Sequence, residues 1–250
     1  MKKNRNLAIF LAFAALVQVY VIYHFYEKSE REDRDAIFNL RSEGFEKLSG
    51  GKYESAISLF SKILEIDDQD TSAWMFRGLA YQGLKKYAEA EKDISHVLQV
   101  DPKKTDAMVL LGNLYFEKGE HQKALESYLK AEKTDGQNPL VPIHKAAFFL
   151  KMKKPDDALI ELEKVQKLKP EFEHLQDYFG EAYFIKGEFS AARIYLENSL
   201  NMNGNKPAPL LILGSINART GNKKEACSNF EQALSSGATS AADSLTKYCK

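Results

Sequence analysis

The sequence predicts an all-α solenoid of six helix pairs, closed by a C-terminal capping helix and preceded by one N-terminal transmembrane helix. Three observations predict it. Alanine recurs at Ala56, Ala90, Ala124, Ala158, Ala192 and Ala226, always 34 residues apart. Gly44, Gly78, Gly112, Gly180 and Gly214 fall on a second series of the same period, with Ala146 in the one gap. An apolar run, Leu7 to Val17, continues past Gln18 through Val19 to Tyr23.

The apolar run comes first in the chain. Counted to Tyr26 it gives about 30 Å of helix, the thickness of a bilayer core. Tyr20, Tyr23 and Tyr26 gather at its end, where amphipathic rings favour the interface. A cleaved signal is the alternative, because Ala12 and Ala14 form an Ala-x-Ala pattern. That pattern comes too early in the run, so an uncleaved anchor over 1–26 is the preferred reading. Lys2, Lys3 and Arg5 precede the span, and Lys28, Arg31, Arg34 and Arg41 follow it among acids. The short, acid-free N-terminus favours a cytoplasmic start and an exported body.

Residues 27–36 read as a juxtamembrane linker. The repeats then run 37–70, 71–104, 105–138, 139–172, 173–206 and 207–240, with 241–250 as the cap. Numbered within a repeat, positions 4, 7, 8 and 11 share one helical face, and so do 20, 24 and 27. Small residues at 8 and 20 let the paired helices cross closely. Each pair leaves apolar surface that the next pair covers.

These residues carry a resemblance. The second repeat has Trp74, Gly78, Tyr81, Ala90 and Pro102; the third has Leu111, Gly112, Tyr115, Ala124, Tyr128 and Ala131. The fifth has Gly180, Tyr183, Gly187 and Ala192; the sixth has Leu213, Gly214, Ala226, Phe230 and Ala233. Residues 37–240 resemble the tetratricopeptide repeat family, in its membrane-anchored bacterial type. The fourth repeat departs most, with Pro142 at position 4 and Pro155 at position 17. The resemblance implies a right-handed superhelix whose concave face binds partner protein segments. On it, Met75, Leu79, Val109, Asn113, Ile143 and Leu150 are the expected groove residues. One subgroup grips acidic chaperone tails with Lys and Asn at positions 5 and 9; here Val109 precedes Asn113, which excludes that ligand.

The chemistry of other classes is missing. Lysine plus arginine number 35, as do aspartate plus glutamate, so no broad cationic surface invites nucleic acid. No phosphate-cradling loop, H-E-x-x-H or G-x-S-x-G occurs, and His24, His96, His121, His144 and His174 make no i, i+4 pair. No enzyme activity, cofactor, metal site or small-molecule substrate is expected; the partners are other proteins and the membrane. The run from Glu225 through Cys249 resembles a C-terminal unit of exported bacterial repeat proteins. That implies a Cys227–Cys249 disulfide in an oxidising compartment, with two reduced buried cysteines as the alternative. The expected function is a scaffold or adaptor in bacterial envelope assembly or secretion, anchored in the inner membrane with its repeats in the periplasm. The alternative is a structural subunit of a larger envelope complex.

Overall fold

A computed structural model describes residues 24, 27, 28, 30–204 and 206–249. Among these residues there are thirteen helices and no strand. The transmembrane span expected over 1–26 lies outside the described residues, apart from His24. Among the described residues no helix is long and apolar enough to cross a membrane. The packing divides the described residues into two compact units, those up to 102 and those from 103 onward.

The first unit holds α1 (30–49), α2 (Tyr53–Ile66), α3 (Thr71–Gly83) and α4 (Tyr87–Val100). Phe60, Ile63, Ala56 and Ala73 are buried together, with Leu40, Leu48 and Phe76 packed against them. The entry to α3 is fixed by Asp70, whose carboxylate accepts from the Ala73 N–H at 2.9 Å and also takes Arg41. This satisfies one of the orphan donors at a helix start.

The second unit begins with α5 (Thr105–Glu117), α6 (His121–Thr134), α7 (Leu140–Lys151) and α8 (Pro155–Leu168). It continues with α9 (Leu175–Lys186), α10 (Phe189–Asn203), α11 (Pro207–Arg219), α12 (Lys223–Ser235) and α13 (Ala241–Tyr248). Pro142 lies in the first turn of α7, and Pro155 and Pro207 begin α8 and α11, where a missing N–H costs little.

Within each pair the small residue at position 8 faces the large one at position 24. A Cβ at Gly44 would stand 2.9 Å from the Phe60 ring, and at Gly78 3.0 Å from Ile94. At Gly112, Gly180 and Gly214 it would stand 2.5 Å from Tyr128, Leu196 and Phe230. Ala146 and Leu162, the fourth such pair, share one buried cluster. The turn inside each pair is made by position 15, which has positive φ at Gly51, Lys85, Gly119, Lys153, Gly187 and Gly221. Periodicity thus reaches the backbone as well as the core.

Candidate functional site

The expected groove residues divide by burial. Met75 is 8% exposed, Val109 3%, Ile143 5% and Leu150 3%, so these four are core residues and do not offer a contact surface. The reason is visible in the second unit. Successive first helices of the pairs, α5 with α7 and α7 with α9, touch one another. Ile143 and Leu150 therefore fill the seam with Leu175 and Phe179 of α9. Leu79 and Asn113, at position 9, remain half-buried.

Of the rows that carry the expected groove residues, position 9 keeps access. In the second unit it reads Asn113, Ala147, Glu181 and Ser215, one residue per helix on α5, α7, α9 and α11, all half-buried. The Asn113 side-chain oxygen accepts from the Tyr128 hydroxyl at 2.7 Å. Burial, and then the Glu117 carboxylate, push the Tyr128 phenol upward, which keeps it a donor. The Asn113 amide nitrogen takes no part in that bond and keeps its donor capacity. Asp177, at position 5 of the fifth repeat, is engaged on both oxygens. It takes the Ser199 hydroxyl on one and meets His174 Nδ1 at 2.8 Å on the other. Serine, histidine and aspartate here form no nucleophilic triad, because fully buried Ser199 bonds the aspartate rather than the imidazole. The set ties α10 to the start of α9, where His174 itself has a φ of 64°.

A buried ionic network was not legible in the sequence. Lys145 is buried and reaches Glu132 at 2.7 Å and Glu161 at 2.8 Å. Lys164 reaches the same two acids at 2.7 and 3.2 Å. Burial raises the Glu132 carboxyl, but the bonds from Lys145 and Lys164 outweigh it and hold the group below its usual range. The second Glu161 oxygen is buried without a partner. Arg77 and Asp93 occupy the same two repeat positions in the second repeat, with contacts of 2.7 and 3.0 Å. A pair of opposite charges at positions 7 and 23 is the only available signal, and a solvated ion pair would give the same one.

At the C-terminus, α13 packs on α12, and Cys227 is joined to Cys249 with their Cα atoms 5.7 Å apart. Tyr248 stacks on Phe230 at 6.0 Å, and Ala241 is buried with Leu210 and Ala233. Among the described residues, no three His, Cys, Asp or Glu side chains converge in a metal-holding group.

Stacked helix pairs define a helical-repeat protein. Tetratricopeptide repeat models match residues 77–139 and 209–236, so the chain carries tetratricopeptide repeats. In sequence it is similar to anaphase-promoting complex subunit 3 of Schizosaccharomyces pombe, 23% identical over 141 residues, 56% of this chain and 21% of that protein. It is also similar to small glutamine-rich tetratricopeptide repeat-containing protein 2 of Mycosarcoma maydis, 27% identical over 110 residues, 44% of this chain and 31% of that protein. The matches thus span about a fifth to a third of these curated relatives. In structure it is similar to PilF of Pseudomonas aeruginosa, with a TM-score of 0.65 and 20% identity, covering 86% of this chain and 99% of that one. PilW, a widely conserved type IV pilus biogenesis factor, gives 0.61 at 18% identity, with 72% and 93% covered. A subunit of the Cut9–Hcn1 hetero-tetramer gives 0.74 at 15% identity, with 86% and 43% covered. At these identities the likeness shows the fold.

Proposed function

We propose that the chain is a membrane-anchored scaffold that holds segments of partner proteins on the position 9 row of its repeats. The row carries this reading. Four neighbouring helices each present one small or polar half-buried residue, Asn113, Ala147, Glu181 and Ser215, beside a sealed apolar seam. A shallow surface of this kind suits an extended or helical segment, bound with modest affinity because ordering that segment offsets much of the contact. Asn113 donates to the segment's backbone, and Glu181, which has no ion-pair partner among the described residues, favours a basic side chain.

The membrane anchor rests on the apolar run from Leu7 to Tyr23. The exported orientation is supported by the Cys227–Cys249 bond, since such bonds persist in oxidising compartments. An envelope-assembly role accords with the pilus biogenesis described for PilW. The second reading, a structural subunit of an envelope complex, is favoured by Ile160 and Ile194. Both stand at position 22 of adjacent repeats and are 56% and 60% exposed.

Co-purification from membranes tests the scaffold reading. Asn113→Asp keeps an acceptor for Tyr128 and removes the amide donor; Ala147→Arg and Ser215→Arg block the row. Partner capture falls in these variants while helicity and melting temperature are kept. Unchanged capture in folded variants rejects the row as the binding surface.

A further inference from the structure

In the second repeat, position 4 is filled by Trp74. Its indole lies 4.4 Å from the His96 ring, the Arg77 guanidinium sits 4.5 Å over it, and its N–H donates to the Asp68 carbonyl at 2.8 Å. In the fourth repeat, position 4 is Pro142, and the space is an open cleft of about 180 Å³. The lining is Glu132, Gly136, Val141, Pro142, Lys164, Lys167 and Leu168. Gly136, Pro142 and Lys164 lie two 34-residue periods after Asp68, Trp74 and His96. Lys145 stands in the same relation to Arg77. The cleft is therefore the Trp74 site with the indole removed.

The fifth repeat supports the same relation between vacancy and residue. There position 4 is Gln176, and a cleft again opens, lined by Pro170, Glu171, Phe172, Glu173, Gln176 and Met202 among others. That cleft already holds the chain's own Phe172 in its wall and is rimmed by acids. Where position 4 is Met108 or Leu210, the side chain is buried.

We propose that the cleft beside Pro142 receives one tryptophan side chain of a partner protein. The indole packs on Leu168 and against the ring of Pro142, above the buried Val141, with the Lys164 ammonium near its face and its N–H toward the Gly136 carbonyl. A cavity of about 150 Å³ holds a benzene-sized ring, so the volume suits an aromatic side chain. Cations attract the faces of aromatic rings, most strongly that of tryptophan. Tryptophan also anchors interfaces by filling pockets of this kind. The occupant comes from another protein: this chain has a single tryptophan, Trp74, whose N–H is already committed. The inference rests on the protein-binding reading but uses a repeat junction away from the position 9 row.

The test follows the methyl signals of Val141 and Leu168 in the full chain as the tripeptide Gly-Trp-Gly is added, with Gly-Leu-Gly for comparison. Saturable shifts with the tryptophan peptide alone are expected. They disappear in Pro142→Trp, whose own indole fills the cleft, and binding weakens about fivefold to tenfold in Lys164→Ala. No saturable shift up to about 10 mM overturns the proposal. So do equal shifts with the leucine peptide, shifts kept in folded Pro142→Trp, or unchanged binding in Lys164→Ala. Partner capture retained while the tripeptide fails to bind removes this inference alone. Loss of all partner capture in the wild-type chain removes the protein-binding reading.

Discussion

Gly112 of α5 lies against the ring of Tyr128 of α6, so that a Cβ at 112 would stand 2.5 Å from a ring carbon. The ring cannot swing aside, because Tyr128 is buried and its hydroxyl is tied to Asn113. Gly112→Ala gains about 1 kcal/mol of helix propensity but overpacks the crossing by about 1–3 kcal/mol. The expected outcome is net destabilisation in urea unfolding. Gly180→Ala meets the branched end of Leu196, which can yield, and is expected to cost less.

Lys85 and Lys153 hold left-handed conformations, φ 58° and 56°, at the turn position where the other four repeats carry glycine. An L-residue there costs about 1–2 kcal/mol, partly offset by the greater freedom of glycine in the unfolded chain. Lys85→Gly and Lys153→Gly are each expected to stabilise by about 0.5–1 kcal/mol. Thermal unfolding of the single and double variants checks this, with a rise in melting temperature for each.

The Lys145 network gives a pH dependence of definite sign. The Glu132 carboxyl is held below its ordinary value of 4.5, so its contribution to stability is complete above that value. It is lost as pH falls through the depressed folded value. Urea midpoints at about pH 7 and about pH 3.5 should therefore differ more for the wild type than for Glu132→Gln. At neutral pH, Glu161→Gln removes one of the two carboxylates on a buried ammonium, leaving Glu132, and should cost about 1.5–3 kcal/mol. Lys145→Met together with Glu161→Leu should cost less than that single change.

The repeat was legible because a period of 34 places a small residue at every helix crossing. The small residues at positions 8 and 20 were legible as crossing points, while the large partner at position 24, Tyr128 against Gly112 and Phe230 against Gly214, is seen only in the packing. The accessible face was not legible in the same way. Met75, Val109, Ile143 and Leu150 sit only one step round the helix from the pair seam. Their burial depends on how closely successive first helices approach, which no single repeat encodes. Lys145 was missed because a lysine in an amphipathic helix ordinarily marks a solvated position. The cleft beside Pro142 was marked in the sequence by the departure at position 4, but a missing tryptophan becomes a cavity only if its neighbours fail to close over it.

Cys227 and Cys249 close a loop with a sequence separation of 22. A loop of that length corresponds to about 3 kcal/mol of constraint on the unfolded chain. Reduction should lower the melting temperature and first release α13, in which Ala241 is buried and the other residues are half-buried or exposed. Hydrogen exchange with and without reductant checks this: amides of Leu245 to Cys249 lose protection while those of α5 and α6 keep it.

The most direct test of the scaffold account is site-specific photo-crosslinking in native membranes, with the photoreactive residue placed at Ala147, Ser215, Ile160 or Ile194 of the full chain. The account predicts a discrete partner adduct from Ala147 and Ser215 and little from the two isoleucine positions. Adducts from Ile160 and Ile194 alone, with Ala147 and Ser215 silent in folded protein, would contradict it.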